Sequence, residues 1–560
     1  MANFYTEDIR LQQILRAKLP ANFFQWADNE LHQFGELAAG PMDERARHTD
    51  REGQPRLIRY DKMGNEVSQI WVNEGYRKNA EDAYNTGIVG YIHKEIPELG
   101  RKGNYIYSFA QGYLLSQTEP GLYCPVTLTK ATAYLLDHYA SPKLKETYLP
   151  HVLSTGETEL YEGATFLTER QGGSDVGANE VKAVEEGDHY RIYGEKYVGS
   201  EAGTGGVARI LARKEGAPAG TKGLSLFAVP WEENRKDGLF RIRRLKDKLG
   251  VRAVPSAEVE FDGALGYLVG DADKGFYYMM EALNLSRVSN AIASLGIMRR
   301  AYTEAVAYTR ERKAFGKRLI EYPMVQETLG KLVSKLEIEM EVMFDVIELM
   351  DRVMGPPGQS AVPSAEEQIL FRLFVALMKV ETAEQAIHFS HEAIELHGGN
   401  GYIEDFVTPR LLRDAQVLTV WEGTANILGL EVLRLMRKYD AEKLFASKME
   451  ERLQQLKGGL PWKAIVAEAL QNLLQETEKV KQMPEELQTF YCKKIGKKMT
   501  GILESVTALE QLANGNSRDR AIAEVFLQNV WKKNELEMEP AVLKHFDEIV
   551  RGVPAGVSYM

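Results

Sequence analysis

The chain has 560 residues, 44% of them hydrophobic and 27% charged, with a net charge of −11 and two cysteines. This length exceeds one ordinary core and calls for roughly two to four domains. The acidic balance argues against a surface given over to nucleic acid. Cys124 and Cys492 can form neither a disulfide framework nor a metal site with ligand spacing. No run of about 18 apolar residues occurs, so no transmembrane segment is expected. The acidic start, Met1–Asp8, has neither the apolar core of a secretory signal nor the arginines of a transit peptide, and a cytoplasmic location is expected.

Residues 1–161 read as a helical domain. Ala131, Ala133, Leu135, Leu136 and Tyr139 recur at helical spacing, Ala140-Ser141-Pro142 ends that helix, and Pro142 opens the next. Between 162 and 272 the period changes to two, as in His189–Tyr193, Leu224–Val229 and Ala257–Phe261, which predicts a β domain of short, mostly antiparallel strands. From 273 to 437 long amphipathic helices return, one of them read over Tyr302–Tyr308, with a polar surface loop at Gly355–Ser360. Residues 438–560 form a further helical region, broken at Gly458–Pro461 and Ala513–Asn516. The expected fold is therefore α+β and multidomain: helices, then a β domain, then a helical bundle, then extra helices. No Gly-x-Gly-x-x-Gly follows a predicted strand, so a Rossmann-type dinucleotide site is not supported.

The most informative stretch is Val420-Trp421-Glu422-Gly423-Thr424-Ala425-Asn426. Glu422 follows an apolar approach, Val417-Leu418-Thr419-Val420, and desolvation there should disfavour its charged form and suit it to general-base work near neutral pH. Taken alone, Glu422 reads first as an acid capping or charging the start of the helix that follows. Three other stretches carry chemistry. Thr165–Val176 holds a glycine pair, Gly172-Gly173, flanked by the hydroxyls of Thr168 and Ser174, which suits a flat heterocycle or a phosphate, or a plain turn. In Glu311-Arg312-Lys313-Ala314-Phe315-Gly316-Lys317, Arg312 can fork onto pyrophosphate and Phe315 offers a ring for stacking, unless the segment is simply a solvated basic helix end. Glu395–Tyr402 reads first as a glycine-capped helix end, with His397 structural.

In order and spacing these segments resemble the acyl-CoA dehydrogenase flavoprotein family. The matching runs are Leu167-Thr168-Glu169 with Gly173-Ser174-Asp175, Gly194-Glu195-Lys196, Lys248–Arg252, Arg287, Glu311–Gly316, Gly398–Gly401, Arg413-Asp414-Ala415 and Trp421–Thr424. The resemblance implies a helical N-terminal domain, a middle β-barrel and a C-terminal four-helix bundle, with FAD as cofactor. It implies that Phe166, Leu167, Thr168, Gly173 and Ser174 line the flavin, Thr168 on its pyrimidine side and Ser174 near phosphate or CoA, and that Val198 and Ser200 lie on a second flavin-contacting strand. The family usually has an aromatic residue at 198, so valine there puts efficient electron exit in doubt. Arg312 and Phe315 would bind the pyrophosphate and adenine of FAD from a neighbouring subunit, with Glu395, Gly398 and Gly399 as a second adenine-side contact. Glu395 replaces the usual Gln, and Tyr322-Pro323 the usual His-Gln pair. Thr424 and Asn426 would hold FAD phosphates. Ser174, Asn284, Arg287, Trp421 and Gly423 would face substrate, and Ser286 cannot serve as the alternative base. Glu422 falls on the catalytic base. The implied reaction is α-proton removal with hydride transfer from Cβ to flavin N5, the thioester carbonyl being polarised by a ribityl hydroxyl and the Glu422 N–H. Electrons would then pass to an electron-transfer flavoprotein.

The core of the family ends near residue 437. Two subgroups carry such extensions, a very-long-chain type that uses it at membranes and an AidB type with DNA-binding ability and weak dehydrogenase activity. Trp421, Gln171-Gly172-Gly173 and Tyr123–Thr127 lean toward the second. Residues 437–560 carry 19 Lys+Arg against 18 Asp+Glu, and one basic cluster, Lys493-Lys494-Ile495-Gly496-Lys497-Lys498, places its charges on one helix face. That face reads first as solvated, and second as a contact for DNA or an anionic surface. The expected partners are an acyl-CoA, an electron-transfer flavoprotein and further copies of the chain in a homodimer or homotetramer, with nucleic acid the lesser alternative.

Overall fold

The computed structural model describes residues 2–357, 362–531 and 540–552. They fall into two compact units, residues 1–289 with 354–361, and residues 290–353 with 362–560.

The first unit opens with helices α1 (Ile9–Lys18), α2 (Ala21–Ala39) and α3 (Pro41–Arg51). Strands β1 (Arg56–Tyr60) and β2 (Glu66–Trp71) follow, then α4 (Glu74–Tyr84) and α5 (Gly90–His93), strands β3 (Glu95–Ile96) and β4 (Arg101–Lys102), and helices α6 (Tyr105–Ser116), α7 (Pro120–Tyr139) and α8 (Pro142–Val152). The α6 and α7 pair is buried along almost its whole length, including polar residues such as Gln111 and Thr129 and a lysine, Lys130, whose ammonium lies over the Phe109 and Tyr123 rings. The β1–β2 hairpin corrects the purely helical reading of residues 1–161. All but one of the β1 residues are exposed, so no apolar alternation marks the strand, and the hairpin is held instead by Asp61, whose carboxylate accepts from the Met63 and Asn65 N–H groups at 2.8 and 2.9 Å.

Seven strands then close into a barrel: β5 (Gly163–Thr168), β6 (Lys182–Glu186), β7 (His189–Ser200), β8 (Val207–Lys214), β9 (Leu224–Pro230), β10 (Phe240–Leu245) and β11 (Ser256–Leu268), with the short α9 (Trp231–Lys236) between β9 and β10. The spatial order is β10-β11-β9-β8-β5-β7-β6, and the pairings β11–β7 and β8–β6 complete the closure. All pairings are antiparallel except β5–β8 and β6–β8. Helix α7 packs on β5.

Helix α10 (Gly275–Glu311) runs from the first unit into the second. It is far longer than the Tyr302–Tyr308 segment read from sequence. A two-residue hairpin, β12 (Lys313–Ala314) with β13 (Lys317–Arg318), follows it. The second unit continues with α11 (Pro323–Val353), α12 (Ala365–His397), α13 (Thr408–Leu418) and α14 (Ala425–Tyr439). Ser364 starts α12 with a capping box: its Oγ accepts from the Glu367 N–H at 3.1 Å, and the Glu367 carboxylate accepts from the Ser364 N–H at 3.0 Å. Part of the predicted Gly355–Ser360 loop, from Gly358 on, lies outside the described residues.

Among the described residues, the extension contains α15 (Ala441–Gln455), α16 (Lys463–Lys481), α17 (Glu485–Asn514), α18 (Ser517–Trp531) and α19 (Ala541–Phe546), followed by a turn over Asp547–Arg551. It packs on the bundle: α17 lies against α11, α12 and α14, and α18 and α19 lie against α11. A buried charge knot joins the two layers. Lys335 Nζ of α11 lies 3.1 Å from Glu339, 2.9 Å from Glu381 of α12 and 2.7 Å from Glu504 of α17. These three carboxylates are close enough to hold a cation, and the cation among them is the lysine ammonium. Burial pushes the Glu339 and Glu504 carboxyls up; burial also acts on Glu381, but Lys335 and Lys497 together draw it down to about 2.

Candidate functional site

In the first unit, the loop after β5 is a tight turn, with Glu169 and Gly172 exchanging backbone hydrogen bonds at 3.0 and 3.4 Å. A Cβ at Gly173 would lie 2.6 Å from Thr168 Oγ1, so only glycine lets the loop return over Thr168. Three buried groups behind the loop fix it. The Glu169 carboxylate accepts from the Glu180 N–H at 2.6 Å and from Lys196 Nζ at 2.6 Å, Lys196 also donates to Leu211 O at 3.1 Å, and Asn179 Nδ2 donates to Leu167 O at 3.1 Å. Burial outweighs the pull of Glu169 and lowers the Lys196 pKa.

β5 and β7 pair with Thr165 opposite Ser200 and Thr168 opposite Val198. The structure therefore brings Thr168, Val198 and Ser200 together at one edge of the barrel, with Val198 and Ser174 exposed. Phe166 is different. Its ring is fully buried against Trp231 and Phe261, so it can offer a ligand only its main chain. The reason is strand alternation: 166 faces inward where 165 and 167 do not. Asn284 and Arg287 are buried on α10, with Arg287 Nη1 donating to Asn284 Oδ1 at 3.0 Å. Beside the strand ends lies an acidic pair. Burial lifts Glu162 to about 7, and burial together with Glu162 raises Glu201 well above the usual range; Thr204 donates to Glu201, and Tyr84 OH lies 2.9 Å from Thr129 Oγ1.

In the second unit, Glu422 sits in a turn between α13 and α14. Its φ is +61° and that of Gly423 is +104°, so a non-glycine residue is held in the left-handed region at the predicted base. The turn is pinned from behind: Lys379, a buried lysine of α12, donates from Nζ to Gly423 O at 2.6 Å. Trp421, Glu422 and Gly423 are half-buried, while Thr424 and Asn426 are exposed. Thr424 is the N-cap of α14, yet its side chain makes no cap hydrogen bond. A free hydroxyl beside the unpaired N–H groups of a helix start fits a phosphate.

The other two predicted segments converge on Tyr308, near the end of α10. Its ring stacks on His397 at 4.2 Å, and its hydroxyl accepts from Asn400 Nδ2 at 3.0 Å. His397 is structural, as its sequence suggested: Nδ1 lies 2.7 Å from Ala393 O, and burial lowers its pKa. Around this hub Arg312, Glu395, Gly398 and Gly399 are exposed. Phe315, at the tip of the β12–β13 hairpin, is 99% exposed at φ +50°. A phenylalanine in that conformation with no packing is a strained, bare ring, suited to stacking on a flat group.

Known proteins match this arrangement. The acyl-CoA dehydrogenase C-terminal domain model matches residues 273–436, the middle domain model 164–264, and the adaptive response protein AidB N-terminal domain model 1–156. Acyl-CoA dehydrogenase family member 11 of Caenorhabditis elegans is 32% identical over 80% of this chain and 73% of its own length. The chain belongs to the acyl-CoA dehydrogenase family. AidB of Escherichia coli (strain K12) is 32% identical over 69% of each chain. The crystal structure of C. elegans ACDH-11 in complex with C11-CoA superposes with a TM-score of 0.87 at 27% identity, covering 98% of this chain and 95% of that one. Members of this family are FAD-dependent oxidoreductases, and the hydroxyls, bare ring and open helix start described above fit FAD. Among the described residues, no helix is long and apolar enough to cross a membrane.

For an acyl-CoA dehydrogenase, three supporting residues were not anticipated from sequence: Lys379 behind the Glu422 turn, Tyr308 beneath the 311–316 and 395–399 segments, and Glu169 behind the glycine loop. Each acts across a distance in sequence, so its partner is set by packing and not by the residues beside it. The basic cluster of α17 is also not a uniform cationic face. Lys497 Nζ reaches the buried Glu381 at 2.6 Å, Lys498 pairs with Glu476, and Lys494 lies 4.8 Å over the Phe490 ring.

Proposed function

We propose that this chain oxidises an acyl-CoA thioester between Cα and Cβ to the trans-2-enoyl-CoA, with Glu422 taking the α-proton, in fatty-acid or branched acyl-CoA catabolism in the cytoplasm. The observation that carries the reading is the strained turn at Glu422–Gly423, pinned by Lys379 at the mouth of a helix start. A carboxylate held at φ +61° needs its surroundings to keep it there, and such strain concentrates where a side chain must be aimed. The Glu422 N–H is the donor this chain offers to the thioester carbonyl, where negative charge builds as the proton leaves. Arg287 and Asn284, with Ser174, Trp421 and Gly423, bind substrate.

When bound, FAD supplies the two-electron acceptor for the Cβ hydrogen. Main-chain groups of Phe166, Leu167 and Gly173, with Thr168, Ser174, Val198 and Ser200, hold its ring; Thr424 and Asn426 hold its phosphates. Arg312 and Phe315, with Glu395, Gly398 and Gly399, hold its adenine side from the neighbouring protomer of a homodimer or homotetramer. Electrons leave to an electron-transfer flavoprotein. Segments 1–161, 162–272, 273–437 and 438–560 are the working domains. The test is anaerobic mixing of the flavoprotein with acyl-CoAs of graded length and branching. Loss of the visible flavin band with at least one of them is expected, and no bleaching at any length contradicts the reading.

A further inference from the structure

The segments assigned to the adenine side of FAD, 311–316 and 395–399, meet at the end of α10, and the C-terminal extension reaches the same place. Arg310 Nη2, two residues before Arg312, donates to Val550 O at 2.9 Å. Arg518 of α18 forks onto both Glu337 oxygens at 2.7 Å, and its Nη2 also donates to Ile549 O at 3.0 Å. Beneath these bonds Val542, Phe546 and Ile549 are buried, and α19 and the turn after it lie on α11. The fit is close: a Cβ at Gly330 of α11 would lie 2.1 Å from Val542 Cγ2.

The hairpin that carries Phe315 has little support of its own. Its strands are two residues each, and Tyr322 OH donates to Ala314 O at 2.7 Å and Phe315 O at 3.2 Å. A hairpin this short does not hold its shape unaided, so its position follows from where α10 ends. We infer that the C-terminal end of the extension is a brace for the adenine-side platform, and that Arg310 is a positioning residue acting through the end of α10 on Arg312 and Phe315. This inference rests on the placement of FAD proposed above.

The variant Gly330→Ala tests it without touching the platform. Alanine improves the helix propensity of α11, and its methyl must displace the stiff, β-branched Val542. The readout is the affinity of the deflavinated full-length chain for FAD and, separately, for FMN, which lacks the adenine end. Gly330→Ala and Arg310→Ala are each expected to weaken FAD by about tenfold, the scale of one lost bond to a charged donor, and to leave FMN unchanged. The double variant Gly330→Ala/Val542→Ala, which restores the space, is expected to return FAD affinity to within about twofold of the parent. Unchanged FAD affinity in both single variants, or equal losses of FAD and FMN, overturns the brace. Arg312→Ala separates the two levels: if it weakens FAD while Gly330→Ala and Arg310→Ala do not, the brace alone fails, and if it leaves FAD unaffected, the placement of the adenine side fails.

Discussion

Lys379→Met removes the bond that pins the turn of Glu422 while keeping the length of the side chain. The bond is 2.6 Å long, buried and charge-assisted, and it ends on the carbonyl of the residue after the base. Such bonds contribute about 1.5–3 kcal/mol. The left-handed backbone it opposes costs about 1–3 kcal/mol at a non-glycine residue. The two are comparable, so without the lysine the turn has free energy available to relax and Glu422 loses its fixed aim. A loss of about 1.4–2.8 kcal/mol from the proton-transfer step corresponds to a tenfold to hundredfold slower reaction. The assay is the anaerobic rate of flavin bleaching at saturating acyl-CoA, read beside the melting temperature. The expected result is slow bleaching with FAD still bound. Bleaching within about twofold of the parent, in a protein that melts normally, would refute the assignment of Lys379. Lys379→Arg, which keeps the charge, serves if methionine prevents folding.

The buried acids make two further predictions. Burial raises Glu162 from its ordinary 4.5 to about 7 and raises Glu201 in the same direction, so the folded chain binds these protons more tightly than the unfolded one. Stability from Glu162 is complete below about pH 4.5 and is lost as pH rises through about 7, an effect of about 3 kcal/mol. Glu162→Gln should flatten that part of the stability–pH curve measured by denaturant unfolding, and an unchanged slope would contradict the assignment. Lys335→Met should cost about 3–5 kcal/mol at pH 8, because it leaves Glu339, Glu381 and Glu504 together without their central ammonium. Part of that loss should return at acid pH, where the carboxyls neutralise, and a loss below about 1 kcal/mol at pH 8 would mean that the knot does not join extension to bundle.

What the sequence made legible was local chemistry. The heptapeptide around Glu422, the Arg312–Phe315 segment and the glycine pair each place their groups within a few residues, and each lies in a turn or hairpin between longer elements. The change of period at 162 announced a β domain; β7 and β10 do alternate between core and surface, whereas β8 and β9 are buried almost throughout. Three features were hidden for physical reasons. Lys379 acts on a carbonyl 44 residues away, a relation set only by the packing of α12 beside the turn. The β1–β2 hairpin buries almost nothing on β1, so it lacks the alternation by which strands are recognised. Lys497 belongs to a run of lysines that looks solvated, yet one turn of α17 carries it onto the buried Glu381. Phe166 shows the reverse: its local sequence suits a ligand-lining strand, but strand parity turns its ring into the barrel core.

The most direct test of Glu422 as the α-proton base is the variant Glu422→Gln, loaded with FAD and mixed anaerobically with the acyl-CoA that bleaches the parent fastest. Glutamine keeps the size of the side chain and removes its basicity. The prediction is normal FAD content and bleaching slowed by at least about a thousandfold, the upper range for loss of a general base. Bleaching at the parent rate would contradict it.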